Sequence, residues 1–216
     1  NKMLSENIDK IRHYVISNGF IRKININKEV VEISNTWVFY ENIIVLDAEV
    51  NGKFAHNPEP LPQNLTALSA AVLANKADLG IAVDPDVDRL VLVCEDGSMF
   101  GEEYTLVAVS DYVLSKRKGD TVSNLSSTRA LKDITEKYGC NYHPAAVGEV
   151  NVVAKMKEVN AVIGGEGNGG IIVPDFHYGR DALIGIALCL TQLSANGKTA
   201  KQLRNSYPDY FISKNK

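Results

Sequence analysis

The sequence predicts an α/β fold with mixed, mainly parallel sheets, in two closely packed units, 1–99 and 100–216. Three observations carry this. From Thr121 onward, strand-like and helix-like segments alternate, the pattern of α/β layers. Ala77–Glu95 holds two apolar runs without helical period, Leu79–Val83 and Leu90–Cys94, around the loop Asp84-Pro85-Asp86-Val87-Asp88-Arg89. That pattern reads as strand, loop, strand. The turn residues Asp96-Gly97 close this hairpin, and the division near Ser98–Gly101 carries no low-complexity linker.

In chain order, Ser5–Ser17 spaces Ile8, Ile11, Tyr14 and Val15 like a helix, with Gly19 as its stop. Ile24–Ile33 and Thr36–Tyr40 are β-branched and aromatic, hence strand-like, and Asn42–Asp47 reads as a clearer buried strand. Val50–Gln63 carries Pro58, Pro60 and Pro62 and is expected to be an irregular connector. Asn64–Ala77 reads as a helix with Leu65, Leu68, Val72 and Leu73 on one face. After the hairpin, helices are expected at Glu102–Lys116, Thr128–Tyr138 (capped by Ser126 or Ser127 and stopped by Gly139), Glu149–Lys157, Asp181–Ala195 and Thr199–Asn205. Strands are expected at Thr121–Leu125, Asn141–Val147, Asn160–Ile163 and Ile171–Val173, with a glycine loop over Gly164–Gly170.

Composition narrows the function classes. The 216 residues are 45% hydrophobic and 23% charged, ordinary for a globular protein. A net charge of -3 and a pI of about 5.8 argue against a nucleic-acid partner. No apolar run approaches the ~18 residues of a membrane span, and the polar start is no signal peptide. Cys94, Cys140 and Cys189 are far apart, each in apolar surroundings, and form no CxxC, so buried free thiols in a reducing compartment, the cytoplasm, are expected. The first residue is Asn1 rather than Met, which suggests a part of a longer protein.

Two loops carry chemistry. Asp84, Asp86 and Asp88 lie at i, i+2 and i+4, so in a near-extended loop they fall on one side. Three carboxylates at the end of an apolar strand repel one another, and a divalent cation is the simplest compensation. Mg²⁺ suits a few carboxylates completed by water or phosphate oxygens. An EF-hand is rejected, because its sixth position is Arg89 rather than Gly and its flanks are strands. Arg89 is suited either to grip a phosphate or to neutralise the loop by a salt bridge. The second loop, Gly164-Gly165-Glu166-Gly167-Asn168-Gly169-Gly170, formally contains GxGxxG. No helix follows it, and the Lys and Ser/Thr of a P-loop are missing. It lets a ligand approach the backbone while Glu166 and Asn168 offer groups for sugar hydroxyls; the plain alternative is a mobile glycine turn. His56 reads as a surface-loop histidine. Ser126-Ser127-Thr128-Arg129 reads as an ordinary helix cap, and Arg180-Asp181 as a helix start. No Ser/His/Asp or Cys/His set can be assembled.

At these residues the sequence resembles the α-D-phosphohexomutases, the phosphoglucomutase/phosphomannomutase family. IAVDPDVDRL resembles the family's metal loop, usually DGDxDR, and GGEGNGG resembles its sugar-binding loop, usually GExSG. KFAHNPEPLPQNL resembles its second domain. The resemblance runs from about Asn42 onward. It implies two α/β/α sandwich domains, the second and third of four. It implies Mg²⁺ held by Asp84, Asp86 and Asp88, a transferring phosphoryl group steadied by Arg89, and sugar hydroxyls held by Glu166 in the loop that also carries Asn168. It further implies interconversion of hexose 1- and 6-phosphates through a phosphoserine and a bisphosphate. Pro85 replaces the usual Gly, Asn168 the usual Ser, and Gly170 stands where many members have His. Ser126 and Glu149 stand where some members use Lys and His. Ala55 occupies the place of a serine, so the phosphoserine is expected in a first domain outside this chain, and the substrate's other phosphate in a fourth. The chain as given is therefore expected to be inactive alone. Its expected partners are those two domains and a phosphorylated hexose, with no nucleic acid and no membrane. The competing readings are a non-catalytic metal- or phosphosugar-binding remnant, a phosphopentomutase or phosphoglucosamine mutase, and, more weakly, a metal-dependent phosphatase.

Overall fold

The computed structural model describes residues 23–26, 29–32, 44–47, 54 and 56–210. By its internal packing the chain divides into two units, 1–55 and 56–216. In the first, β1 (Lys23–Ile26) pairs antiparallel with β2 (Glu29–Glu32), with Ile24 opposite Val31. In place of the single strand expected over Ile24–Ile33 there are thus two short strands, which supply each other's ladder partners. The buried strand expected at Asn42–Asp47 is corrected in its described part. Residues 44–47 form no strand, Val45 is 65% exposed, and Asp47 has a left-handed φ of 51°. An apolar run becomes a buried strand only beside a neighbour that pairs with it, and no described strand does so here. The expected helix Ser5–Ser17 and strand Thr36–Tyr40 lie outside the described residues.

In the second unit, the proline-rich connector reaches one 3₁₀ turn, Pro62–Asn64, and then α1 (Thr66–Asn75). Leu65 and Val72 are buried as expected, but Leu73 is 55% exposed and lies over the Gly97 turn instead. β3 (Leu79–Val83) and β4 (Leu90–Cys94) form the expected antiparallel hairpin, Leu79 opposite Cys94 and Val83 opposite Leu90. Every residue of β4 is fully buried, which is why its apolar run has no alternation.

Helix α2 (Glu102–Lys116) follows, then β5 (Thr121–Asn124), α3 (Ala130–Lys137), β6 (Tyr142–Ala145), α4 (Glu149–Val159), β7 (Ile163–Glu166), β8 (Gly170–Ile172), α5 (Ala182–Asn196) and α6 (Ala200–Arg204). The sheet order is β6-β5-β7-β8; β5 runs parallel to β6 and β7, and β8 returns antiparallel to β7. Successive residues of a strand face opposite sides. A side-chain carbon on Gly164 would meet the Met156 sulfur of α4, and one on Gly165 would meet Leu106 of α2. The two helices therefore cover opposite faces of β7, and the layers are α/β/α.

Helix α5 begins as expected: Asp181 accepts from the Leu183 and Ile184 amides at 2.8 and 3.1 Å. Thr199 and Gln202 form a capping box at α6. The cap expected from Ser126 or Ser127 is corrected. Helix α3 starts at Ala130, whose amide is taken by the Thr128 hydroxyl at 3.1 Å, while Glu103 accepts from the Thr128 amide. Ser127 instead donates to Asn124 Oδ1 at 3.0 Å.

Candidate active site

The carboxylate loop begins as a tight turn. The Val87 amide donates to the Asp84 carbonyl at 3.0 Å, with Pro85 at the position where its fixed φ fits. Val87 carries φ 59°, a left-handed conformation that is strained for a β-branched residue. It is held there from outside, since its carbonyl accepts from the Ala182 amide at 3.1 Å. The turn brings Asp84, Asp86 and Asp88 together, with one oxygen of each within 4.8 Å of the others. Asp84 is 2% exposed, Asp88 is half-buried and Asp86 is exposed.

Asp84 organises the loop. Its Oδ1 accepts from the Asp88 and Arg89 amides at 3.0 and 2.9 Å, and its Oδ2 from Arg89 Nε at 2.6 Å. Burial pushes the Asp84 carboxyl up, but the Arg89 amide and guanidinium outweigh it and hold it at about 2. Asp88 goes the other way. Burial and the neighbouring Asp84 carboxylate push it up to about 6, against the pull of Arg180. Arg89 turns the rest of its fork to Glu59, at 2.8 and 3.3 Å. Glu59 and Asp84 together push the guanidinium's pKa upward.

The glycine loop is tighter than expected. Gly164, Gly165 and Glu166 belong to β7, and only residues 167–169 form the turn into β8. The reason is close approach: a side-chain carbon on Gly165 would lie 2.0 Å from the Gly170 carbonyl oxygen, and one on Gly167 would press on Ser127. Asn168 closes the turn by accepting from the Gly170 amide at 3.2 Å. Glu166 is buried at the strand end. Its Oε1 accepts from Asn124 Nδ2 at 2.6 Å and from the Gly148 amide at 3.3 Å, and its Oε2 from Arg180 Nη1 at 2.9 Å.

The two loops, distant in sequence, meet edge to edge. The Leu90 amide donates to the Gly169 carbonyl at 3.0 Å, and Arg89 bridges Gly170 in the antiparallel sense. Arg180 joins them through its side chain, donating to Glu166, to Glu149 at 3.1 Å through Nε, and to Asp88 through Nη2. Sequence reasoning missed this residue, together with Glu59 and Asn124. Its neighbours in sequence mark Arg180 only as part of a helix start, and its partners lie 14, 31 and 92 positions away, beyond any local pattern. His56 is the surface histidine expected, turned onto the Asn57 carbonyl. The three cysteines are free as expected, and Cys94 and Cys189 are buried, but Cys140, beside the Gly139 turn, is only half-buried.

The donor set fits a hard divalent cation. All three convergent side chains offer carboxylate oxygens. Asp88 Oδ1 is buried and accepts no hydrogen bond; Arg89 Nε lies 3.7 Å from it, beyond hydrogen-bond reach. A buried carboxylate oxygen without a donor is costly, and a cation would satisfy it.

Comparison with known proteins places the fold. The family model for phosphoglucomutase/phosphomannomutase alpha/beta/alpha domain III matches residues 101–210, and that for domain II matches residues 25–97. The chain belongs to the phosphoglucomutase/phosphomannomutase family. A phosphoglucomutase/phosphomannomutase of Thermococcus kodakarensis is 35% identical over 176 residues, 81% of this chain and 39% of the relative. A phosphoglucosamine mutase of Paraburkholderia phymatum is 36% identical over 139 residues, 63% of this chain and 31% of the relative. A crystal structure of a phosphoglucomutase/phosphomannomutase family protein from Burkholderia thailandensis superposes with a TM-score of 0.65 at 30% identity, covering 71% of this chain and 34% of that one. The chain thus spans less than two fifths of the length of these relatives. No helix among the described residues is long and apolar enough to cross a membrane.

Proposed function

We infer that the chain forms the second (1–99) and third (100–216) domains of a phosphohexomutase that interconverts hexose 1- and 6-phosphates. Phosphoglucomutase or phosphomannomutase activity is preferred. The carrying observation is the meeting of the two loops: a carboxylate triad with an adjacent arginine lies edge to edge with a buried glutamate in a glycine turn. In this reading Asp84, Asp86 and Asp88 hold Mg²⁺, and Asp88 Oδ1 is the oxygen most in need of it. Bound there, Mg²⁺ would neutralise charge on the transferring phosphoryl group. Arg89 offers its fork to that group when Glu59, itself half-exposed, yields it. Glu166 is fixed by Asn124, Gly148 and Arg180, so its Oε2 can accept from a sugar hydroxyl without reorganising. Asn168 shapes the turn that carries it. The phosphoserine and the grip on the second phosphate come from domains outside this chain.

The test is a complete polypeptide containing this chain, assayed for glucose 1-phosphate and mannose 1-phosphate isomerisation with and without Mg²⁺. Activity should require Mg²⁺ and fall at least about a hundredfold in Asp86→Asn. Unchanged activity in that variant would overturn the metal-loop assignment. A phosphoglucosamine mutase is the second reading, favoured by the Paraburkholderia phymatum relative; glucosamine 1-phosphate in the same assay separates the two.

A further inference from the structure

We propose that Arg180 is a positioning residue that serves the sugar carboxylate and restrains the metal loop, so that it favours one ligand at the other's expense. The proposal rests on the functional reading above. One guanidinium faces three carboxylates in three directions: Nη1 to Glu166, Nε to Glu149 and Nη2 to Asp88. Its own amide also donates to Glu149 at 3.3 Å. The planar fork can serve all three at once, which a lysine ammonium cannot do in the same geometry.

The contacts have opposite consequences. For Glu166, Arg180 is the only cationic donor among the described residues; the other two donors, Asn124 and Gly148, are neutral. Without Arg180, a nearly buried carboxylate would lose its counter-charge and its fixed direction. For Asp88, Arg180 is a competitor. It occupies Oδ2 and sets a positive charge beside the place where a cation would bind. The backbone reinforces the restraint, because two residues further on the Ala182 amide holds the Val87 carbonyl of the same loop.

The glycine at 170 is the second, independent sign. A side-chain carbon there would lie 2.3 Å from Arg180 Cδ and 3.0 Å from Cγ. The arginine stem therefore lies over a position that must have no side chain. Ala at 170 would displace the stem from the middle, where a flexible tip cannot absorb the overlap.

The test uses Arg180→Met, Arg180→Lys and Gly170→Ala, with Arg129→Gln as a surface control, since Arg129 pairs only locally with Asp133. Mn²⁺ binding to this chain is measured by electron paramagnetic resonance, and KM and kcat for glucose 1-phosphate in the complete polypeptide. Arg180→Met should tighten Mn²⁺ binding by about three- to tenfold, as a neighbouring cation is removed. It should raise the glucose 1-phosphate KM by about tenfold or more, as Glu166 loses a charge-assisted hydrogen bond. Gly170→Ala should shift both quantities in the same directions, and Arg180→Lys should recover only part of the KM. Weakening of both ligands in parallel with a loss of thermal stability would show a scaffold role and overturn the proposal, as would no change in either. If the wild type binds Mn²⁺ but isomerises no hexose phosphate, the functional reading fails, and the Mn²⁺ measurement alone decides for or against the restraint by Arg180.

Discussion

Cation binding should depend on pH through Asp88, and the size of the effect follows from its surroundings. Burial and the adjacent Asp84 carboxylate raise the Asp88 carboxyl to about 6 in the metal-free protein. A raised carboxyl favours the folded protein while it is protonated; that contribution is complete below the ordinary value of 3.8 and is lost as pH rises through about 6. A cation needs the ionised form, so it competes with this proton. At pH 7.5 the group is almost wholly ionised, and at pH 5.0 only about a tenth of it is. Mg²⁺ should therefore bind about tenfold more weakly at pH 5.0, a difference of about 1.4 kcal/mol. The assay is a thermal melt with and without Mg²⁺ at each pH. At about a hundred times the pH 7.5 dissociation constant, Mg²⁺ adds about 2.7 kcal/mol, and the same concentration at pH 5.0 adds about 1.4. For a chain of this size that is a rise of about 5–11 °C at pH 7.5 and about 3–6 °C at pH 5.0. Asp88→Asn should abolish both the rise and its pH dependence. An equal rise at the two pH values would refute the reasoning, since no buried proton would then oppose the metal.

Four further outcomes are expected. Asp84 is held at about 2 by donors that favour its charge, so its contribution is present above pH 3.8 and lost as pH falls through about 2; Asp84→Asn should cost about 2 kcal/mol at pH 7 in urea unfolding and flatten that acid limb. Gly165→Ala sets a side-chain carbon 2.0 Å from a backbone oxygen that cannot swing aside, and should cost about 3 kcal/mol or more. Gly197→Ala, left-handed but with open space around it, should cost only about 1–2 kcal/mol in the same experiment. Asp181→Ala removes both side-chain caps of α5 and should lower stability by about 1 kcal/mol, read as a lower denaturation midpoint with unchanged slope.

What could be read in advance depended on how local each cause is. The hairpin β3–β4, the helices α2 and α5 and the Asp181 cap follow from runs and neighbours within one element. The carboxylate triad follows from alternation along one loop. The glycine segment was only half legible. Its composition marked a close approach, but which backbone approaches, the Gly170 carbonyl, exists only once β7 and β8 pair. The run at 42–47 misled for the same reason reversed. Its apolar residues match a strand, yet 44–47 are exposed, because burial depends on what lies alongside rather than on the residues themselves.

By itself, then, the sequence determined the α/β layering, the two loops and the clustering of carboxylates in one of them, since each arises from side-chain periodicity and residue chemistry over a few neighbouring positions. Tertiary structure alone decided that the loops share one site. Glu59 reaches Arg89 across 30 positions, Asn124 reaches Glu166 across 42, and Arg180 gathers Asp88, Glu149 and Glu166 around one charge. Those partners are selected by distance in space and by the need to compensate buried charge, and neither is written in the spacing of the chain.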